Sequence, residues 1–325
     1  MKYRTLGRTG LQVSELSFGA WAIGGNQHGN SYGSTNDEIS VQAIHRALEL
    51  GCNFFDTADV YGLGHSEELM ARGLREAGKL NQVYIATKVG GNFYNPGGRL
   101  VADFSTAYIR FALEQSLKRL GRDYVDLYQL HNPSRPLIED GQLFEVLDSL
   151  KKEGKIRFYG VSISSVPEGL ACLRNGKPDT IQTVYNLFSL VQSENPAEQL
   201  FPQAIEHNIG LILREPLANG FLTGKQRLDT TYEPGDIRSS WPSHYRSFKI
   251  RLAQALLFLE QPASNGQPAR TLAQAALRYI LDVPGIATVI TGVKSPEQVA
   301  ENLLASELPA LNKEEIERIN RVFFG

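Results

Sequence analysis

The sequence predicts a single α/β domain over residues 1–325: one (β/α)₈ TIM barrel with an N-terminal β-hairpin and an extra C-terminal helix. Three observations predict it. Apolar runs of strand length recur along the whole chain, most are followed by a stretch of helical periodicity, and no low-complexity tract or charge block divides the sequence. About eight strand-then-helix units close a barrel, and barrels of this kind reach such a length as one domain. A doubly wound sheet is the runner-up.

The opening Tyr3 to Leu16, with turn signals at Gly7 and Thr9-Gly10, predicts the hairpin. Leu16 to Trp21, Cys52 to Phe55, Val83 to Thr87, Val125 to Leu130, Phe158 to Val161, Thr180 to Val184, Leu211 to Leu213 and Ala287 to Thr291 read as buried strands, rich in β-branched and aromatic side chains. Asp37 to Leu50 places Val41, Ile44, Ala47 and Leu48 on one helical face, with Thr35 or Asn36 as the N-cap and Gly51 just past the end. Similar patterns run over Glu67 to Ala77, Thr106 to Leu120, Gly141 to Lys152, Pro167 to Leu173, Pro196 to Glu206, Thr271 to Ile280 and Glu297 to Leu304. A last helix, capped at Asn312 and ending near Val322, is expected to cover one end of the barrel. The stretch Glu215 to Arg246, punctuated by Pro216, Gly220, Gly224, Pro234, Gly235 and Pro242, is longer than a connection needs and reads as a lid or binding loop.

Charge narrows the partners. With 33 basic and 35 acidic side chains the formal net charge is −2, which gives no bulk attraction for nucleic acid or anionic lipid. The first residues, MKYRTLGRTG, lack the apolar stretch of a secretory signal, and no apolar run reaches the roughly 20 residues that cross a bilayer. Two cysteines, Cys52 and Cys172, and no glycosylation sequon make a reducing cytoplasm the expectation. Six histidines and those cysteines show neither H-E-x-x-H nor C-x-x-C spacing, so no metal site is expected. Gly62-Leu63-Gly64 lacks the third glycine of a dinucleotide fingerprint, and Gly220 to Gln226 is one residue short of a P-loop.

In a parallel barrel the chemistry sits where strands end. Asp56 follows Phe54-Phe55 with Tyr61 five residues on, Lys88 follows Ile85-Ala86-Thr87, and His131 closes Leu127 to Leu130. Each alone has a bland reading: a turn aspartate, a solvated lysine, a loop tyrosine, a core histidine. Together they are chemically complementary. A free tyrosine, with a pKa of about 10, is a poor proton donor near neutrality. A neighbouring ammonium lowers that pKa, and an aspartate holds the ammonium charged and oriented. His131 then orients a carbonyl oxygen. Such a set polarises C=O and protonates the alkoxide formed when hydride arrives, but it holds no hydride source, so a nicotinamide cofactor is required.

These residues resemble the aldo-keto reductases, NADP(H)- or NAD(H)-dependent oxidoreductases on a (β/α)₈ barrel. Gly51 to Gly62 (GCNFFDTADVYG) resembles the family's Asp-to-Tyr signature, Ile85 to Lys88 (IATK) its lysine strand, and Asp126 to His131 (DLYQLH) its histidine strand. Asp56, Tyr61, Lys88 and His131 thereby match the whole catalytic tetrad. The resemblance further implies that Ser162 and Gln182 hold the nicotinamide carboxamide, although Ile163 stands where the family commonly has Asn. It implies that Arg214, at the place of a stacking aromatic, Pro216, Leu217, Gly220 and Lys225 belong to a pyrophosphate-covering loop. Gly292, Lys294, Ser295, Gln298, Glu301 and Asn302 resemble the adenosine-end motif. There a helix N-terminus beside Lys294 and Ser295 suits a 2′-phosphate.

Trp21, Phe93, Tyr94 and Trp241 are the substrate-side candidates, as aromatics on strand-end loops. The expected function is NADPH-dependent, reversible reduction of an aldehyde or ketone to an alcohol, with Tyr61 as general acid. Alternatives are a sugar or polyol dehydrogenase working oxidatively, and a cofactor-sensing subunit resembling potassium-channel β subunits. The outer helices show no unmistakable apolar seam, so an oligomer is neither required nor excluded.

Overall fold

The computed structural model describes residues 1–27, 31–95, 98–262 and 269–325. Eight parallel strands close a barrel: β1 (Leu16–Gly19), β2 (Phe54–Asp56), β3 (Tyr84–Val89), β4 (Val125–His131), β5 (Ile156–Ser162), β6 (Thr180–Val184), β7 (Gly210–Arg214) and β8 (Ile286–Gly292). Neighbours in the barrel are neighbours in sequence, and β8 pairs with β1 to complete the ring. Helices follow in turn: α1 (Asp37–Glu49), α2 (His65–Glu76), α3 (Thr106–Leu120), α4 (Gln142–Lys152), α5 (Val166–Asn175), α6 (Phe201–Glu206), α7 (Leu272–Leu281) and α8 (Pro296–Leu303). Asn36 is the α1 cap, its Oδ1 accepting from the Ile39 amide at 3.0 Å.

The two-residue alternation of each strand sorts the side chains into two shells. Phe55, Ile85, Tyr128, Val161, Leu211 and Val289 face outward into one core shared with the helices. Phe54, Ala86, Leu127, Ile212 and Ala287 face inward and pack on Leu6, Leu11 and Val13 of the hairpin Tyr3–Thr5/Gln12–Ser14. The hairpin therefore plugs the N-terminal end of the barrel. At its turn Gly7 has φ 47° and lies against the Gly210 backbone, where a side chain has no room. Leu6 is fully buried in this plug, so Leu6→Ala is expected to cost about 2–5 kcal/mol. A urea-denaturation midpoint unchanged by that substitution contradicts the plug.

Two expectations are corrected. The first strand stops at Gly19, which leaves Trp21 in the following loop. The helix expected over Pro196 to Glu206 is broken into Pro196–Gln199 and α6, because Pro202 has no N–H to bond back across the join. The hairpin closes one end of the barrel, and the C-terminal helix Lys313–Phe324 packs toward the other. That helix, capped by Asn312, carries Ile319 into a second cluster with Leu187, Phe188, Ala218, Phe221 and Leu272, beside the loops that leave β6 and β7. Part of the long Glu215 to Arg246 stretch is ordered by a helix, Ser243–Ala255, whose Ile250 and Ala253 join that cluster. Among the described residues no helix is long and apolar enough to cross a membrane.

Candidate active site

On the inner face of the barrel, the same alternation that starts with apolar residues ends with polar ones. Two residues beyond Phe54 stands Asp56, beyond Ala86 stands Lys88, and beyond Leu127 stand Gln129 and then His131. The strand register brings them level: Asp56 pairs with Ala86, Lys88 with Gln129, and His131 with Ser162. Tyr61 follows β2 on a tight turn in which Gly62 and Leu63 are both left-handed (φ 59° and 53°). A Cβ on Gly62 would run into the Gly24 carbonyl, so the turn requires glycine.

The Lys88 ammonium is fully buried and uses all three protons. It donates to Asp56 Oδ1, to the Thr57 carbonyl at 2.8 Å and to Tyr61 Oη at 3.4 Å. It also lies 5.0 Å from the centre of the Tyr61 ring. The His131 ring meets the Tyr61 ring edge-on, with centres 5.8 Å apart. All four expected catalytic residues are thus brought together.

Their protonation follows from burial against charge. Burial opposes the charge on Lys88, but Asp56 and Tyr61 more than offset it, and its pKa rises above the usual value. Burial raises the Tyr61 pKa, and the opposing pull of Lys88 is the weaker effect. The lowering expected from Lys88 is therefore real but outweighed. Burial, reinforced by Lys88 and Arg214, drives His131 well below the ordinary histidine range and keeps it neutral. A neutral imidazole donates a hydrogen bond from one nitrogen without placing a second cation beside Lys88.

Ser162, which ends β5, and Gln182, in the middle of β6, are register partners. Ser162 Oγ and Gln182 Oε1 are buried and have no hydrogen-bond partner among the described residues. Arg214 ends β7, its guanidinium held by Glu215 and by the Ile163 carbonyl at 3.2 Å, with Nε also lacking a partner. The Ile163 side chain is committed to the outer core. Buried polar atoms of this kind are costly unless a ligand supplies their partners. A carboxamide, with one acceptor and two donors, suits Ser162 Oγ and Gln182 Oε1, so these residues fit a nicotinamide.

The residues expected at the adenosine end lie just before α8 and along it. Ser295 is the helix cap, Gln298 Oε1 accepts from the Lys294 amide at 2.7 Å, Asn302 is buried, and Gly292 lies open at the end of β8. Lys225 of the β7 loop bridges to Glu301 at 2.9 Å. Pro216 is buried, and Leu217 and Gly220 (φ 87°) lie in the same loop before Lys225. Lys294 Nζ donates to the carbonyls of Tyr32 and Ser34.

Three residues escaped the sequence reading here. Tyr32 donates to Asn219, presents its ring to Trp21 at 4.5 Å and lies beneath Arg238 at 4.6 Å. With Ile237 N donating to Ser31 O at 3.0 Å, they latch the β1 loop to the β7 loop between the tetrad and α8. They lie in loops without periodicity, and no local signal marks them. Gln129 was also missed, although counting back two from His131 places it on the inner face.

The aromatics expected on the substrate side divide. Trp21 lies by Tyr32, and Trp241 stacks on Phe221 at 6.1 Å. Phe93 stacks on Tyr94 at 4.2 Å, but Tyr94 leans on Phe111 and accepts from Arg119 at 2.5 Å, which commits it to α3. Among the described residues no group of three or more His, Cys, Asp or Glu could hold a metal ion.

Comparison with known proteins agrees with this geometry. The family model described as "Aldo/keto reductase family" matches residues 15–323. The aldo-keto reductase YhdN of Bacillus subtilis is 35% identical over 323 residues, covering 99% of this chain and 93% of that protein. An NADH-specific methylglyoxal reductase of Escherichia coli is 31% identical, covering 94% of this chain and 93% of its own. Among solved structures, an aldo-keto reductase from Bacillus halodurans in its holo form superposes with a TM-score of 0.78 at 30% identity, covering 99% of this chain and 96% of that one. A closed barrel, a tyrosine bonded to a buried Lys–Asp pair, and a match over nearly every residue lead to one assignment: the chain belongs to the aldo/keto reductase family of oxidoreductases.

Proposed function

We propose that this protein reversibly reduces an aldehyde or ketone to an alcohol with NADPH, Tyr61 acting as general acid. The observation that carries the reading is the Tyr61 hydroxyl 3.4 Å from Lys88 Nζ with His131 beside it, together with the orphaned polar atoms of Ser162, the register partner of His131, and Gln182, which suit a carboxamide. Bound nicotinamide dinucleotide supplies the hydride. The protein's own part is to place and charge-balance the oxygen. Neutral His131 donates to the carbonyl oxygen, and Tyr61 Oη gives up its proton as negative charge grows there. Lys88 then stabilises the phenolate, and Asp56 keeps Lys88 charged and in place. In the oxidative direction the same phenolate takes the proton from the alcohol. Trp21, Phe93 and Trp241 supply apolar walls, and Tyr94 stands at the rim. Mixing purified protein with NADPH and a panel of aldehydes, ketones, quinones and sugars tests the reading; no loss of NADPH absorbance with any of them refutes it.

The preference for NADP over NAD rests on Lys294 and Ser295 at the start of α8, where a cation and helix amides favour an anion. Lys294→Ala is expected to weaken NADP binding roughly ten- to hundredfold, the scale of one charge-assisted hydrogen bond. NAD, which lacks the 2′-phosphate, is expected to bind within about twofold of its original affinity. Fluorescence titration of both dinucleotides decides, and tighter NAD binding by the unaltered protein rejects the NADP preference.

A further inference from the structure

Gln129 has no task in the chemistry above, yet it is bonded into the middle of the site. Its Nε2 donates to Asp56 Oδ2 at 3.1 Å, and its Oε1 accepts from Gln182 Nε2 at 3.2 Å. Gln182 Nε2 also donates to the same Asp56 oxygen, at 2.9 Å. All three side chains are buried, with at most 3% of any residue exposed. No water is needed to complete the triangle.

The charge on Asp56 dictates which way both amides face. A carboxylate paired with an ammonium accepts hydrogen bonds and donates none, so each glutamine must turn its NH₂ toward Asp56. Gln129 Oε1 is then left facing Gln182 and takes that residue's second N–H. Both protons of the Gln182 amide are thereby used inside the triangle. Its Oε1 is the atom left over, buried and without a partner among the described residues. That oxygen can accept from a ligand, and the amide has no free N–H to offer one.

We propose that Gln129 is a positioning residue: by occupying the second Gln182 N–H, it fixes the Gln182 carbonyl as the acceptor for the carboxamide NH₂ of the dinucleotide. The inference rests on the NADP(H) reading above and deepens it. It makes the site selective at one atom, because a ring substituent without N–H leaves a buried acceptor unpaired. It also ties that contact to the Asp56 carboxylate that holds Lys88.

The test uses NADP⁺ and its 3-acetylpyridine analogue, in which a methyl group replaces the carboxamide nitrogen. Dissociation constants are read from quenching of tryptophan fluorescence. The unaltered protein is expected to bind the analogue about tenfold more weakly than NADP⁺, the scale of one lost hydrogen bond to a buried acceptor. In Gln129→Met, which matches the volume but cannot hold the Gln182 amide, the ratio is expected to fall to about twofold as NADP⁺ binding weakens more than analogue binding. Gln129→Asn, whose shorter amide reaches one partner and not both, is expected to lie between, and it decides alone if the methionine variant does not fold. Equal weakening of both dinucleotides, with the ratio unchanged, marks a structural role and overturns the proposal. So does an unaltered protein that does not discriminate. An unaltered protein that binds neither dinucleotide overturns the oxidoreductase reading and this proposal with it.

Discussion

Tyr61→Phe is expected to lower carbonyl reduction by roughly a hundred- to ten-thousandfold, the span that a positioned general acid contributes, while dinucleotide affinity stays within about twofold. The substitution removes one oxygen and little else. The ring keeps its edge contact with His131 and its place 5.0 Å from Lys88 Nζ, so the packing of the site is retained. The direction of the pKa shift adds a second readout. Burial raises the Tyr61 pKa above its ordinary value of 10.0, with Lys88 pulling the other way. Below that raised pKa the phenol holds its proton, which is the form that reduction needs. Reduction should therefore be insensitive to this group through neutrality and fail only as the pH climbs past the raised value. Alcohol oxidation needs the phenolate and should rise over the same alkaline range. Steady-state rates in both directions across pH check the assignment, and a Phe variant that keeps a tenth of the original turnover sinks it.

Why the tetrad is legible in sequence while much around it is not comes down to period. Each strand signals its buried face by alternation, and a polar residue at the end of an apolar run breaks that signal visibly. Asp56, Lys88 and His131 are such breaks. Gln129 lies one step earlier, inside DLYQLH, where an amide among apolar residues passes as one more strand position. Its meaning comes from Asp56, 73 residues away in the chain, and from Gln182, 53 residues away. The latch of Tyr32, Asn219 and Arg238 is harder still, because loops carry no period and its contacts join segments up to 206 residues apart, from Tyr32 to Arg238. The outcome at Tyr61 was illegible for a different reason. Spacing shows which charges approach a phenol but not how much water is excluded from it, and here exclusion of water prevails over Lys88. For Lys294, the helix start foretells a cation suited to phosphate, whereas its bonds to the Tyr32 and Ser34 carbonyls depend on how a distant loop lies.

Lys88→Met is the substitution expected to cost both stability and activity, and pairing it with Asp56→Asn separates the two. Lys88 is fully buried against a carboxylate that is 3% exposed, and removing the ammonium leaves Asp56 with the amides of Gln129 and Gln182 as its remaining donors. Uncompensated buried charge of this kind typically costs about 3–5 kcal/mol, well above the scale of the lost hydrogen bonds alone. Changing Asp56 to Asn in the same molecule removes that charge while keeping an oxygen toward the two glutamines. The double variant is therefore expected to regain at least about half of the lost stability in urea denaturation, a coupling that distant, independent sites do not show. Reductase turnover should not return with it, because nothing then stabilises the Tyr61 phenolate or holds a cation 3.4 Å from its oxygen. If the two substitutions simply add in stability, the pair is not a coupled ion pair in solution. If the double variant regains turnover along with its fold, Lys88 serves the barrel and not the proton transfer, and the role of Asp56 as its anchor falls at the same time.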